Sequence, residues 1–346
     1  MEHWSTRKEI GGGIWQLRLM LALYRRLGAR RIRALLVPVV FIFFIFSPEL
    51  RAISSRFLAR VSTLRGSSPP NAGEVFRHLF SFSFSLVEKV AAWSMEMELG
   101  RLTFKTADAL DLVDLVSGGS GAFIICSHLG NIEVLRAMAS IELARHLPQL
   151  RITSIVDFSG TARFNRLLEE VNPGCMVRLV SAKNIGADTI IVLKERIASG
   201  ELVVIAGDRT PARNSGGRSE VSFLGELAYF PQGAFILASL MDAPLFFMFG
   251  LREDDRDFDS PYGVYVYRAR TDVSGTRRER RVKIQALIEE FATRLESLCV
   301  AHPLQWYNFY DFWREKSGET RPSRQQGTSG ESHRTRSPWE KSEGSG

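Results

Sequence analysis

The chain has 346 residues, of which 45% are hydrophobic and 24% are charged, and its formal net charge is +7. This composition supports one large domain with flanking segments, and it excludes a collagenous, disulfide-rich or wholly disordered protein. The excess of Lys and Arg favours a negatively charged partner, such as an anionic membrane or an acidic carrier. No nucleic-acid-binding motif accompanies the positive charge, so we expect no nucleic-acid partner.

The first strong signal along the chain is the uncharged run ALLVPVVFIFFIF at residues 34–46. As a helix it would be about 20 Å long, against about 30 Å for the hydrocarbon core of a bilayer. Arginines lie on both sides of it, at Arg18, Arg25, Arg26, Arg30, Arg31 and Arg33 and at Arg51, Arg56, Arg60 and Arg65. We therefore expect residues 1–66 to form a membrane-associated helical segment that embeds in one face or spans marginally. The alternative is a buried core helix of a soluble domain.

The central part of the chain alternates between short apolar runs and helical patterns. A helix is predicted at residues 74–99, followed by strands at 122–126, 151–156, 201–206, 244–249 and 262–268 and by helices at 133–143, 162–171, 187–197, 232–240 and 280–299. This alternation predicts the α/β class, with a mixed, mostly parallel sheet flanked by helices. Residues 67–316 would form the catalytic domain, and the polar residues 317–346 a disordered tail.

The first candidate site is the sequence SHLGNIE at residues 127–133, which follows the predicted strand 122–126. On one helix, His128 and Glu133 would point about 140° apart. They face each other only if His128 lies on the loop and Glu133 in the first turns of the next helix. Such a pair suits general base catalysis, in which the carboxylate orients the imidazole. The alternative is a structural His at a helix start, with Glu133 favoured there electrostatically.

The second candidate site is the turn that follows the predicted strand 201–206. There Arg209 would bind a phosphate or stabilise an oxyanion, and Asp208 would orient it; a local ion pair is the alternative. Phe230, Pro231 and Gly233 would open the next helix, whose N-terminal amides bind anions. The predicted substrate-binding set consists of Asn131, at the start of the helix after His128, and of Asp208, Arg209, Phe230, Pro231 and Gly233. No metal ligand is predicted.

Four segments resemble the lysophospholipid acyltransferase superfamily, and in particular its bacterial lipid A biosynthesis branch. Residues 127–133 are similar to its His-x4-Asp/Glu motif, ELVVIAGDR (201–209) to the strand and acidic turn that follow, and VSFLGELAYFPQG (221–233) to the next block. QWYNFYDFW (305–313) is similar to the aromatic closing segment of the family. Their order fits over roughly residues 75–315. The closing segment lacks the pair of arginines that enzymes completing lipid A often carry, so the sequence looks closer to a divergent branch.

The resemblance implies transfer of a fatty acyl group from acyl carrier protein or coenzyme A to a hydroxyl. His128 would be the base and Glu133 its orienting partner, with no cofactor, metal or covalent acyl-enzyme. The acceptor stays open between a lysophospholipid, a glycolipid, an aminolipid and a polyene lipid. The expected location is the bacterial inner membrane, with the catalytic domain on the cytoplasmic side.

Two other functions compete with the acyltransferase. A membrane-associated glycosyltransferase would use the acidic residues Asp254, Asp255 and Asp257 to bind a metal ion, although a solvated turn is the simpler interpretation. A non-catalytic lipid-binding protein on the same fold would bind lipid without turnover. The presence of both pairs, His128 with Glu133 and Asp208 with Arg209, argues against a degenerate site.

Overall fold

The structure is a computed structural model that describes residues 14–93, 103–131, 151–156, 177–183, 185–209, 217–310 and 312–313. Three helices come first: α1 (Ile14–Phe46), α2 (Pro48–Arg65) and α3 (Ala72–Trp93). Gly28 kinks α1, because its φ of 72° is not a helical value. At Ser47 the chain bends by 95° from α1 into α2. Pro48 suits this position, because a proline is accepted in the first turn of a helix.

The remaining described helices flank a sheet. They are α4 (Asp108–Ser117), α5 (Ala187–Ala198), α6 (Gly233–Met241) and α7 (Arg277–Ala301), and a short 3-10 turn at Pro303–Gln305 follows α7. The strands are β1 (Thr103–Phe104), β2 (Ala122–Cys126), β3 (Ile152–Val156), β4 (Val177–Ser181), β5 (Leu202–Ala206), β6 (Arg218–Phe223), β7 (Glu226–Pro231), β8 (Leu245–Arg252) and β9 (Tyr262–Arg268).

Seven of these strands form one sheet in the order β1-β9-β8-β2-β5-β3-β4, and β6 and β7 form a separate antiparallel hairpin. Within the seven-stranded sheet only β8 and β9 pair antiparallel, and the other neighbours are parallel. This architecture confirms the predicted α/β class with a mixed, mostly parallel sheet.

Both faces of the central strand are buried. Phe123 and Ile125 of β2 point into the main core, which contains side chains of α2, α5, α6 and α7. Ala122, Ile124 and Cys126 alternate with them and pack on the opposite face, where α4 contributes Ala109 and Leu112. A strand buried on both faces is a continuous apolar run, which is why AFIIC predicts a strand without alternation.

Several predicted elements lie where the sequence placed them. The strands at 122–126 and 262–268 match β2 and β9 residue for residue, and the helix at 187–197 is one residue short of α5. The expectation that Phe230 and Pro231 open a helix was wrong. Both belong to β7, where they pair with Ser219 and Arg218, and the helix begins at Gly233.

Some expectations fall on residues outside the described ranges. These are the predicted helices at 133–143 and 162–171 and the tail at 317–346. The domain boundaries stay predictions. Within the described part, Phe57, Leu58 and Val61 of α2 are buried in the same core as the sheet.

The second half of α1 has one packed face and one exposed apolar face. Val40 packs in a cluster with Leu79, Phe80 and Phe84 of α3. On the other side, large apolar side chains are exposed at Leu35, Val37, Val39, Phe41, Ile42, Phe43, Ile45 and Phe46. In the described ranges, no single helix has the length and apolarity to cross a bilayer. The bent pair of residues 18–46 and 48–65 meets those two criteria only when taken together.

Candidate active site

The site lies at the carboxyl end of β2 and β5, two adjacent parallel strands. The last residues of these strands, Cys126 and Ala206, are in register, and the Gly207 amide donates to the Cys126 carbonyl at 2.8 Å. The chain therefore leaves both strands at the same edge of the sheet, where ligands bind in open α/β folds. His128 and Asp208 each lie two residues beyond the end of their strand.

His128 and Asp208 form a close pair at this edge. The His128 Nδ1 atom is 2.7 Å from Asp208 Oδ1, and the His128 backbone amide donates to Asp208 Oδ2 at 2.9 Å. A carboxylate only accepts hydrogen bonds, so Nδ1 carries the proton and the lone pair of the neutral ring lies on Nε2. The Asp208 side chain is fully buried, whereas 31% of the His128 side chain is exposed. The imidazole is thus oriented by Asp208 through Nδ1, and part of the His128 side chain is exposed to solvent.

Asp208 is held by residues that follow α7. From here on, the term closing segment denotes residues 303–310, which contain most of the aromatic segment 305–313. The Trp306 indole Nε1 donates to Asp208 Oδ2 at 3.3 Å. The Asn308 amide and the Tyr310 hydroxyl donate to the Asp208 carbonyl at 3.2 and 3.1 Å. These contacts fix both the backbone and the carboxylate of Asp208.

The same segment also fixes the His128 loop. The Tyr307 amide donates to the His128 carbonyl at 3.0 Å, and the Gly130 amide donates to the Gln305 carbonyl at 2.7 Å. Gly130 has a φ of +75°, and a Cβ at this position would overlap the Gly250 carbonyl of β8. Only glycine fits this position, because the turn needs positive φ and close approach to β8.

The electrostatics of the pair favour a neutral imidazole and an ionised carboxyl. Burial and the nearby Arg209 guanidinium lower the pKa of His128, and Asp208 only partly opposes them. Burial raises the pKa of Asp208, but the charge and hydrogen bonds of His128 and the charge of Arg209 bring it below its usual value. At neutral pH the pair is therefore carboxylate plus neutral imidazole, which is the state that a general base requires.

Arg209 lies beside this pair and also bonds to the closing segment. Its Nη2 donates to the Tyr307 carbonyl at 2.9 Å, and its Nε donates to the Asn308 amide oxygen at 3.3 Å. The sequence interpretation made Asp208 the partner that orients Arg209. In the structure both carboxylate oxygens of Asp208 accept hydrogen bonds from His128. Arg209 is positioned by the closing segment instead.

The other predicted site residues are placed differently. Glu133 lies outside the described residues. Asn131 is buried, and its side-chain amide donates to the Ser85 carbonyl of α3 at 3.0 Å. Phe230 is fully buried, with its ring 5.4 Å from that of Phe223, and Pro231 ends β7. Gly233 begins α6. Substrate contact by these residues stays a prediction.

The described residues contain no group of three or more His, Cys, Asp or Glu side chains arranged to hold a metal ion. Asp254, Asp255 and Asp257 lie in the loop between β8 and β9, where each accepts a backbone amide. Asp255 bonds the Leu304 amide, which helps to hold the start of the closing segment.

Sequence reasoning missed the roles of Trp306, Asn308 and Tyr310. The density of aromatic residues in 305–313 was visible, but it indicated only packing against the sheet or a membrane interface. An aromatic residue with a hydrogen-bond donor is a signal for a buried acceptor. The identity of that acceptor depends on tertiary structure.

Two comparisons with known proteins complete the description of the site. A search of curated proteins finds no match to this chain. The family model described as bacterial lipid A biosynthesis acyltransferase matches residues 71–315, which include β2, β5, the hairpin and the closing segment. The chain therefore belongs to the bacterial lipid A biosynthesis acyltransferase family.

Proposed function

We propose that the chain transfers a fatty acyl group from a thioester, on acyl carrier protein or coenzyme A, to a hydroxyl of a lipid or glycolipid. The observation that carries the proposal is the 2.7 Å contact between His128 Nδ1 and Asp208 Oδ1, in a chain of an acyltransferase family. His128 is the general base, and Asp208 orients its ring.

The proton movements follow from the tautomer. Nε2 of His128 accepts the proton of the acceptor hydroxyl while the hydroxyl oxygen attacks the thioester carbonyl. The carbon–sulfur bond then breaks, and the imidazolium returns the proton to the leaving thiolate. The products are an ester and a free thiol, and the balance needs neither a cofactor nor a metal. Asp208 stabilises the imidazolium through the Nδ1 hydrogen bond.

Glu133 keeps its predicted role as a second candidate for the orienting carboxylate. Asp208 is favoured because it contacts the ring nitrogen directly, is fully buried and is fixed by three donors of the closing segment. Arg209 is proposed to stabilise the oxyanion or to bind a phosphate of the donor or acceptor. Its guanidinium is held by Tyr307 and Asn308, the residues that also bond His128 and Asp208, and its charge lowers the pKa of His128.

The N-terminal helices are proposed to seat the enzyme on the membrane. Arg33, just before the apolar run, donates to Asp259 in the loop between β8 and β9 at 2.8 Å. After the run, α2 packs in the core of the sheet domain. Both ends of residues 34–46 thus return to the same body, which favours embedding in one leaflet over spanning. Anionic lipid would contact the neighbouring arginines.

Acyl transfer assays test the proposed function. Labelled acyl carrier protein and acyl-coenzyme A would each be offered lysophospholipids, glycolipids, aminolipids and polyene lipids, in membranes and without added metal. Transfer by the wild type and at least about a hundredfold loss in His128→Ala is the expected result. Transfer that survives in His128→Ala would show that His128 is not the general base. In a parallel assay with a nucleotide-sugar donor and added divalent metal, metal-dependent sugar transfer would support the glycosyltransferase. Lipid binding without turnover in either assay would support a non-catalytic protein.

Vesicle sedimentation tests the proposed membrane binding of the N-terminal helices. Phe43 and Phe46 are 51% and 78% exposed on α1, so the double variant Phe43→Ser/Phe46→Ser is expected to lower binding to vesicles containing phosphatidylglycerol. Leu110→Ser is the matched control, because Leu110 is 65% exposed on α4, which packs on the face of the sheet opposite α2. Equal binding by both variants would contradict the assignment of this face to lipid.

A further inference from the structure

A second histidine, His78 of α3, lies behind the catalytic pair without contacting it. His78 is buried, and its Nδ1 is 2.8 Å from the hydroxyl of Ser54, which is itself buried on α2. Its Nε2 is 2.9 Å from the carbonyl oxygen of Trp306. The imidazole thus joins two N-terminal helices to the closing segment.

The directions of these hydrogen bonds are fixed by chemistry. A carbonyl oxygen only accepts, so Nε2 of His78 carries a proton and donates to Trp306. Burial lowers the pKa of His78 to about 4, although its bond to the Trp306 carbonyl opposes the shift. The ring is therefore neutral at neutral pH, and its Nδ1 accepts a hydrogen bond from the Ser54 hydroxyl. Both ring nitrogens are satisfied in one tautomer.

Trp306 carries this connection forward to the site. Trp306 accepts a hydrogen bond from His78 through its backbone carbonyl. Its indole Nε1 donates to Asp208 Oδ2 at 3.3 Å. The Trp306 ring is held on its other side by Phe57 of α2, with the ring centroids 4.8 Å apart. A continuous buried path runs from Ser54 through His78, Trp306 and Asp208 to His128.

We propose that His78 and Ser54 are positioning residues for the catalytic pair, which hold Trp306 so that its indole fixes the Asp208 carboxylate. The inference rests on the proposed function, in which Asp208 orients His128. Neither residue touches the substrate. They fix the backbone of Trp306. Its indole then donates to Asp208 Oδ2, which leaves Oδ1 for His128 Nδ1.

This arrangement gives the N-terminal helices a role in positioning the site. Ser54 lies on α2, which follows the proposed membrane segment, and its buried neighbours Ile53, Phe57 and Leu58 pack α2 onto the domain. A helix that served only as an anchor would need no buried polar bond to a histidine. The hydroxyl of Ser54 instead satisfies the ring nitrogen that the neutral His78 would otherwise bury without a partner.

Two substitutions of His78 separate its two hydrogen bonds. The Gln side chain is long enough to place an N–H donor near the position of Nε2, whereas Asn is too short to reach the Trp306 carbonyl. His78→Asn is expected to lower kcat about tenfold, because one buried hydrogen bond is worth about 1.4 kcal/mol or less. His78→Gln should stay within about threefold of the wild type. The KM values for donor and acceptor should change little in either variant.

The pH profile gives a readout that loss of packing would not change. When Trp306 no longer donates to Asp208, the carboxylate becomes a better acceptor for the His128 imidazolium, so the pKa of His128 rises. The acid limb of kcat/KM is therefore expected to move to higher pH in His78→Asn and to stay in place in His78→Gln. Leu58→Ala is the control, because Leu58 is buried on α2 and belongs to the apolar core.

The outcomes are distinguishable. A fall in kcat with a shifted acid limb in His78→Asn, rescued in His78→Gln and absent in Leu58→Ala, is the expected result. An unmoved acid limb, or an equal fall in kcat in Leu58→Ala, would overturn the positioning role. If His78→Asn does not fold, Ser54→Ala, with an expected loss of about threefold, is compared with Ser83→Ala, whose hydroxyl bonds only within α3. Wild-type activity in His128→Ala and Asp208→Asn would instead refute the proposed function itself.

Discussion

The two histidines on this hydrogen-bonded path have the same ring and opposite surroundings. His128 lies on a loop at the sheet edge, with a carboxylate on Nδ1 and 31% of its side chain exposed. His78 lies inside a helix bundle, 2% exposed, with a hydroxyl on one nitrogen and a carbonyl on the other. Burial lowers the pKa of both rings.

Under the proposed function, His128 is the reactive histidine and His78 a positioning one. A lowered pKa is common to both, so it does not identify the base. His128 differs because its partner stabilises the protonated ring and because part of its side chain is exposed at the sheet edge. His78 has two neutral partners, a hydroxyl and a carbonyl, and its burial disfavours the charged ring.

Asp208→Asn is expected to have the largest effect. The amide would favour the wrong imidazole tautomer and no longer stabilise the imidazolium, so kcat should fall by about 10²–10⁴. Transfer assays with purified protein in membranes measure this loss. Glu133→Gln is the matched comparison, and we expect it to lose less. A larger loss in Glu133→Gln would make Glu133 the orienting carboxylate and leave Asp208 as a structural residue.

His78 is expected to make stability depend on pH. Its pKa is about 4 in the folded state against 6.5 for an unperturbed histidine, so below pH 6.5 the unfolded chain binds the proton first. The stability linked to the neutral ring is complete above pH 6.5 and is lost as pH falls towards 4, with a slope of about 1.4 kcal/mol per pH unit. Urea unfolding in detergent across this range should show a shallower slope in His78→Gln. Identical slopes would contradict neutral burial.

Arg209→Gln is expected to have the smallest effect on the base. The guanidinium lowers the pKa of His128, so its removal raises that pKa, and the acid limb of kcat/KM moves to higher pH. Rate measurements against pH detect the shift separately from any change in KM. Arg268→Gln serves as the control, because Arg268 pairs with Asp111 and both side chains are more than half exposed. If the acid limb lies at the same pH in the wild type, Arg209→Gln and Arg268→Gln, Arg209 does not affect the pKa of His128.

The sequence predicted the parts of the site better than their connections. His128 and Asp208 each follow an apolar strand, which identified both as residues at the carboxyl edge of a sheet. Their pairing needs β2 and β5 to be neighbours in register, and no local pattern specifies this, because other strands lie between them in sequence. The sequence therefore assigned His128 to the nearer carboxylate, Glu133, and Asp208 to Arg209.

The hairpin of β6 and β7 shows a different limit. Its turn consists of Leu224 and Gly225, which have positive φ values of 51° and 78°. Hairpin turns of this kind usually carry Asn-Gly or Asp-Gly, and a leucine gives no such signal. Leu224 is tolerated because its side chain is buried in the main core and its amide donates to Glu296. Tertiary contacts outweigh the local preference here.

The most direct test of the central claim is a double-mutant cycle on the catalytic pair. Single-turnover acyl transfer would be measured in the wild type, His128→Ala, Asp208→Asn and the double variant, at saturating donor and acceptor. If Asp208 acts by orienting His128, Asp208→Asn slows the wild type but leaves His128→Ala no slower than before. Losses that multiply in the double variant would show that the two residues act independently and would contradict the proposed mechanism.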